Sequence, residues 1–111
     1  LDVEVAVNAR RIGVVDAAEG MRWHVGELVA QLAHTRALGA GSLVGSGAVS
    51  AADASRGFGC VAEKRAAEAA ADGVAHTDYL RFGDRVRIEV KGRDGASVFG
   101  AIDQAVAPHA S

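Results

Sequence analysis

"RFGDRVRIEVKGRDGASVFGAIDQAV", residues 81–106, gives the clearest indication of the fold. Apolar side chains alternate with charged ones along its first half, at Val86, Ile88 and Val90. This period-two alternation predicts a strand with one face against the core and the other in water. Arg-Asp-Gly at 93–95 is a hairpin turn signal, after which Val98 begins a returning strand. The stretch therefore predicts an antiparallel β-hairpin.

A second hairpin is predicted at the start of the chain. Residues 1–7 again alternate apolar and polar side chains, Asn8 begins a turn, and residues 12–15 return as a second strand. Leu1 already belongs to the alternating pattern. Because a domain seldom begins so abruptly, we expect further sequence before Leu1.

The middle of the chain predicts helices and one short strand. An apolar stripe with helical spacing runs over residues 25–33, and Gly39 and Gly41 are expected to end that helix. The four residues 42–45, Ser-Leu-Val-Gly, predict a short buried strand. Residues 61–72, "VAEKRAAEAAAD", favour a second helix because they consist mostly of strong helix formers, with Gly73 following.

Together these elements predict an α+β fold. Its sheet, or β-roll, is mainly antiparallel and carries one or two short helices. We expect residues 1–111 to be a single segment that forms part of a larger domain. Half of the residues are apolar but only 5% are aromatic, so an Ala- and Val-rich core buries little area per residue. The segment is therefore predicted to be stabilised by packing against another part of the polypeptide or against a partner subunit.

Charge and cysteine content narrow the class of protein. The formal net charge is −2, with acidic and basic residues interspersed, so no basic tract points to nucleic acid. No apolar run approaches the length that spans a bilayer, so no membrane partner is expected. Cys60 is the single cysteine, which excludes an intramolecular disulfide and favours a reducing, cytoplasmic location.

Two features carry possible chemistry. Glycines at 45, 47, 57 and 59 could present backbone N–H groups to an anion, although turn glycines without a ligand are the commoner case. Glu63 follows this loop and could act as a base or orient one, although a Glu on a helix surface is again the commoner case. None of the four histidines is spaced with another His or Cys as metal ligands are. Residue spacing alone thus predicts a possible anion-binding loop and no more.

Several stretches together resemble the C-terminal part of the fumarylacetoacetate hydrolase family, in particular its bacterial branch. They are "EGMRWHVGELVAQLAHTRALGAG", "LVGSGAVS", "GCVAEKR", "LRFGDRVRIEV" and "RDGASVFGAIDQAV", in this order along nearly the whole chain. The resemblance implies hydrolysis of a carbon–carbon bond in β-dicarbonyl oxo-acids such as fumarylacetoacetate or acylpyruvates, in the catabolism of aromatic compounds. It also implies Mg²⁺ or Mn²⁺ and a homodimer.

The resemblance further assigns roles to particular residues. Glu63 matches the glutamate that orients a water-activating histidine. In some family members this glutamate lies on a strand, so a strand stays open as the alternative to a helix over residues 61–72. Ser46, Gly47 and Ala48 match a threonine-glycine-threonine strand that contacts substrate, but Ala48 lacks the hydroxyl. The family's metal-binding carboxylates and the histidine are expected upstream of Leu1, so no metal ligand is assigned in this chain.

Two alternatives stay open. One is a truncated or split family member that acts only as a folded or dimer-forming piece. The other is a related enzyme that hydrates, decarboxylates or tautomerises a similar oxo-acid, since one fold serves many reactions.

Overall fold

The computed structural model describes residues 1–110 of the chain. Its strands are β1 (Asp2–Val7), β2 (Arg10–Asp16), β3 (Arg85–Lys91) and β4 (Ser97–Ala105). Its helices are α1 (Val25–Thr35), a 3₁₀ turn at Ala54–Arg56, and α2 (Val61–Asp72). The strands form one sheet in the order β2-β1-β3-β4, and every neighbouring pair is antiparallel. The prediction of an α+β fold with a mainly antiparallel sheet is confirmed.

The first hairpin turns through Asn8 and Ala9, both of which have positive φ. A two-residue turn of this kind matches the twist of its strands, and Asn tolerates the left-handed conformation better than most residues. The Asn8 side chain also accepts from the Arg85 N–H at 2.9 Å and donates to Asp84 Oδ1 at 2.8 Å. The turn is thereby tied to the start of β3, which helps to set the β1–β3 register.

Both helices predicted from the sequence are present, and α2 spans the predicted residues 61–72. The expected glycine stop of α1 was wrong, because the helix ends at Thr35 and Arg36 is already extended. The Thr35 hydroxyl donates back to the Leu32 carbonyl at 3.4 Å, a local bond that competes with continued helix. Gly41, with φ of +85°, shapes a later turn instead.

The predicted strand at residues 42–45 is also wrong. These residues form no ladder with the sheet, and Leu43 is 99% exposed. A strand requires a neighbour to satisfy its backbone groups. The edge of β2 is instead contacted by residues around Gly57.

The hydrophobic core within residues 1–110 is small. Val5 and Val15 are the buried apolar side chains of this part of the chain, and Val25 on the apolar stripe of α1 is 50% exposed. The accessible surface is 8174 Å², whereas a compact monomer of 11.3 kDa exposes about 5,700 Å². The sheet and helices therefore leave much more surface uncovered than a self-contained domain of this mass.

The C-terminal end of α2 is held by Glu68. Its Oε2 accepts from the His76 and Thr77 backbone N–H groups at 2.8 Å, and its Oε1 accepts from the Thr77 hydroxyl at 2.6 Å. These bonds, led by the one from the Thr77 hydroxyl, lower the pKa of Glu68 from 4.5 to about 2. Arg65 donates to the Thr77 carbonyl and lies 4.3 Å from the centre of the Tyr79 ring. The segment after α2 is thus fixed by polar contacts.

We expect Glu68→Gln to lower the free energy of unfolding near neutral pH and to flatten its dependence on acid. The folded-state pKa of Glu68 lies below its unfolded value, so the stabilisation is complete above about pH 4.5 and is lost as the pH falls towards about 2. Urea unfolding of the complete polypeptide at about pH 7 and about pH 3 measures this difference. A gap between wild type and variant that stays constant over this range would contradict the assignment.

Candidate functional site

The glycine-rich loop doubles back so that two of its stretches touch at Gly59. A Cβ atom at position 59 would overlap the carbonyl oxygen of Val49. Only glycine allows backbone to approach backbone this closely. The contact places Ser50, the next residue along, beside the N-terminal end of α2.

A second contact fixes the loop to the edge of the sheet. Gly57 pairs with Gly13 of β2, and the Phe58 N–H donates to the Ile12 carbonyl at 3.2 Å. Arg56 then joins both strands, since its Nε donates to the Val14 carbonyl at 2.8 Å and its guanidinium lies 2.7 Å from Asp2 Oδ1. The loop is thereby anchored to β1 and β2.

Glu63 lies in the first turn of α2, three residues after the N-cap Cys60. The two oxygens of its half-buried carboxylate have different partners. Oε1 accepts from the Ser50 hydroxyl at 2.5 Å, and Oε2 accepts from the Gly59 N–H at 3.0 Å. A helix N-terminus carries partial positive charge, so this position suits a carboxylate. Glu63 therefore joins both crossing stretches of the loop to the helix.

A cavity of about 420 Å³ opens beside this loop. Ser46, Ala48 and Ser50 belong to its lining, together with Trp23 and Leu28. The structure thus brings two of the three predicted substrate residues into one cavity. Gly47 lies between them with φ of +90° but is not among the lining residues.

The charges at this cavity are few. Glu19 and Arg22 belong to its lining, and the Arg22 guanidinium lies 5.8 Å from the centre of the Trp23 ring. The remainder of the wall is mostly small or apolar: Ala17, Gly20, Met21, Leu28, Val49, Ala51 and Ala52. A compact organic acid in this cavity would therefore meet backbone groups, the hydroxyls of Ser46 and Ser50, and one charge of each sign, from Glu19 and Arg22.

The described residues do not supply a metal centre. Among residues 1–110, no group of three or more His, Cys, Asp or Glu side chains is placed to hold an ion. His24 is the N-cap of α1 and donates its backbone N–H to the Glu27 carboxylate, and His76 pairs with Asp72 at 3.0 Å. The Mg²⁺ or Mn²⁺ implied by the resemblance does not fit the side chains of this segment.

A comparison with protein families shows to which family the chain belongs. The model for the C-terminal region of fumarylacetoacetate (FAA) hydrolase matches residues 1–107. The chain belongs to the fumarylacetoacetate hydrolase family. No curated protein matches the chain in a sequence comparison. Among residues 1–110, no helix is both long enough and apolar enough to cross a membrane.

In this family member, sequence reasoning missed Ser50. The residue stands two positions after Ala48 in a run of small side chains, and its type alone gives no signal. Its partner Glu63 is 13 residues away, so the bond appears only once the loop has crossed itself at Gly59. The same holds for Arg56, whose partners lie 42 and 54 residues away.

Proposed function

We propose that the chain is the C-terminal part of a metal-dependent hydrolase that cleaves a carbon–carbon bond in β-dicarbonyl oxo-acids of the fumarylacetoacetate or acylpyruvate type. The enzyme would serve the catabolism of aromatic compounds and would belong to the bacterial branch of the family. The observation that carries the proposal is the hydrogen bond between Glu63 and Ser50, a cavity-lining residue, in a member of the family.

Glu63 is proposed to orient a water-activating histidine supplied from outside these 111 residues. Each carboxylate oxygen has about two lone-pair sites, so its bonds to Ser50 and Gly59 leave acceptor capacity for an imidazole N–H. A carboxylate that fixes the tautomer and direction of an imidazole raises its effectiveness as a general base.

Ser46, Gly47 and Ala48 are proposed to bind the carboxylate end of the substrate. Ser46 and Ala48 line the cavity, and Ser46 offers a hydroxyl. Ala48 offers only its backbone, so the substrate contact differs from that of members with threonine there. Gly47 permits the left-handed turn that directs this backbone.

The remaining parts of the site are proposed to come from outside the chain. The metal-binding carboxylates would lie on another segment of the same protein, and a second copy would complete a homodimer in the cytoplasm. The uncovered surface supports this, because the excess of roughly 2,400 Å² over a compact monomer is comparable to what obligate interfaces bury.

The test is turnover of an acylpyruvate and of fumarylacetoacetate by the complete polypeptide. We expect cleavage to two carboxylic acid products, and we expect a chelator to lower the rate by roughly 100-fold or more until Mg²⁺ or Mn²⁺ is restored. Release of CO₂, or an unchanged carbon skeleton, would favour a decarboxylase, hydratase or tautomerase instead. The 111-residue segment by itself is expected to be inactive.

A second candidate is a non-catalytic family member that acts as a folded or dimer-forming piece. The missing hydroxyl at Ala48 and the absence of a metal-binding group among residues 1–110 favour it. A complete polypeptide that forms dimers but turns over neither substrate would support this candidate over the hydrolase.

A further inference from the structure

The contacts of Glu63 exceed what helix capping requires. A Glu at the third position of a helix commonly reaches back to a backbone N–H near the N-cap, which satisfies an otherwise unpaired donor. The bond from the Gly59 N–H to Oε2 is of this kind. Capping does not account for the bond at the other oxygen. Oε1 accepts a hydrogen bond from the Ser50 hydroxyl, at 2.5 Å, and Ser50 belongs to a different part of the chain.

We propose that Ser50 is the positioning residue of Glu63 and that it links the substrate cavity to the carboxylate. This rests on the proposed function, because it gives the bond a catalytic purpose. Ser50 belongs to the cavity lining with Ser46 and Ala48, and no other residue of that lining bonds to Glu63. The close approach of the Val49 backbone to Gly59 brings Ser50 beside the start of α2.

The geometry explains why one hydroxyl is enough to fix the orientation of the Glu63 carboxylate. A glutamate has several rotatable bonds, and a single hydrogen bond leaves its carboxylate free to turn about that contact. Bonds to both oxygens, from donors on separate stretches of the loop, fix its position and its plane. Fixed direction matters because misplacing a catalytic group by about 1 Å can cost on the order of 100-fold in rate.

The hydroxyl also sets what the cavity presents to a ligand. A serine has one proton and two acceptor lone pairs, and here the proton is given to Glu63. Towards the cavity Ser50 therefore acts as an acceptor, suited to a water molecule. A ligand that only accepts hydrogen bonds gains nothing from Ser50.

Ser50→Ala in the complete polypeptide is expected to lower kcat by roughly 10-fold and to change KM by less than about 2-fold. Ser50→Thr keeps the hydroxyl and should retain most of the activity. Ser42→Ala is the matched control, because its hydroxyl also makes one bond, to the Gly39 carbonyl at 2.8 Å, away from Glu63. A loss of kcat in Ser50→Thr equal to that in Ser50→Ala would overturn the proposal.

A double-mutant cycle with Glu63→Gln tests the positioning role of Ser50 separately from the proposed hydrolase activity. If Ser50 acts through Glu63, Ser50→Ala should cost little further kcat once Glu63 has been replaced. Independent, multiplicative losses would overturn the positioning role and leave the hydrolase intact. Wild-type polypeptide without turnover would overturn the proposed function and the catalytic purpose of the bond together.

Discussion

Glu63→Gln in the complete polypeptide is expected to lower kcat for oxo-acid cleavage by about 100-fold, the lower end of what general acid–base catalysis contributes. Glutamine has nearly the same shape but a single acceptor oxygen. Its amide NH₂ would face either the Ser50 hydroxyl or the Gly59 N–H, which are both donors to the present carboxylate. It could not accept from both and also orient an imidazole.

The same substitution should lower the free energy of unfolding by only about 1 kcal/mol, because it removes one hydrogen bond at a helix end. Thermal unfolding and steady-state kinetics on the same preparation separate the two effects. Glu68→Gln is the matched control, because Glu68 lies on the same helix and bonds to the segment after it. It should lose stability and keep kcat, so equal kinetic losses in both variants would remove the special role of Glu63.

The strands were predictable because their signals are local. Alternation over residues 86–90 and the Arg-Asp-Gly turn act within a few residues, and both hairpins formed where they were expected. The pairing of β1 with β3 was not predictable in this way. It joins residues 79 to 89 positions apart and is helped by the Asn8 side chain, whose type suggested only a turn.

The site was predictable in part, for the same physical reason. Glu63 and residues 46–48 were found through a resemblance, and the structure places Ser46 and Ala48 on one cavity with Ser50, which bonds to Glu63. The roles themselves stay predictions. Ser50 and Arg56 were missed because their contacts arise from the crossing of distant backbone, which leaves no periodic pattern. The false strand at residues 42–45 had apolar composition but no neighbouring edge.

Gly57→Ala is expected to lower the free energy of unfolding by roughly 3 to 5 kcal/mol, from backbone strain and overpacking together. Gly57 has φ of 80° and ψ of −150°, a region that residues with a Cβ hardly adopt. A Cβ there would also overlap the Ile12 carbonyl oxygen, which already accepts from the Phe58 N–H. Because the atoms it would meet belong to the β2 backbone, which cannot rotate away as a side chain can, the loop has to leave the edge of β2 to relieve the clash.

Substitutions at two other glycines of the complete polypeptide distinguish the cost of backbone strain from the cost of overpacking. Gly95 has φ of 77° with open space around it, so Gly95→Ala tests conformational strain without a clash and should cost about 1 to 2 kcal/mol. Gly26 lies in α1, also in open space, and Gly26→Ala should stabilise by roughly 0.5 to 1 kcal/mol. In denaturant unfolding of the three variants, Gly57→Ala should have by far the lowest free energy of unfolding. If Gly57→Ala costs no more than Gly95→Ala, the loop does not pack on β2 as described, and the position of Ser50 beside Glu63 loses its support.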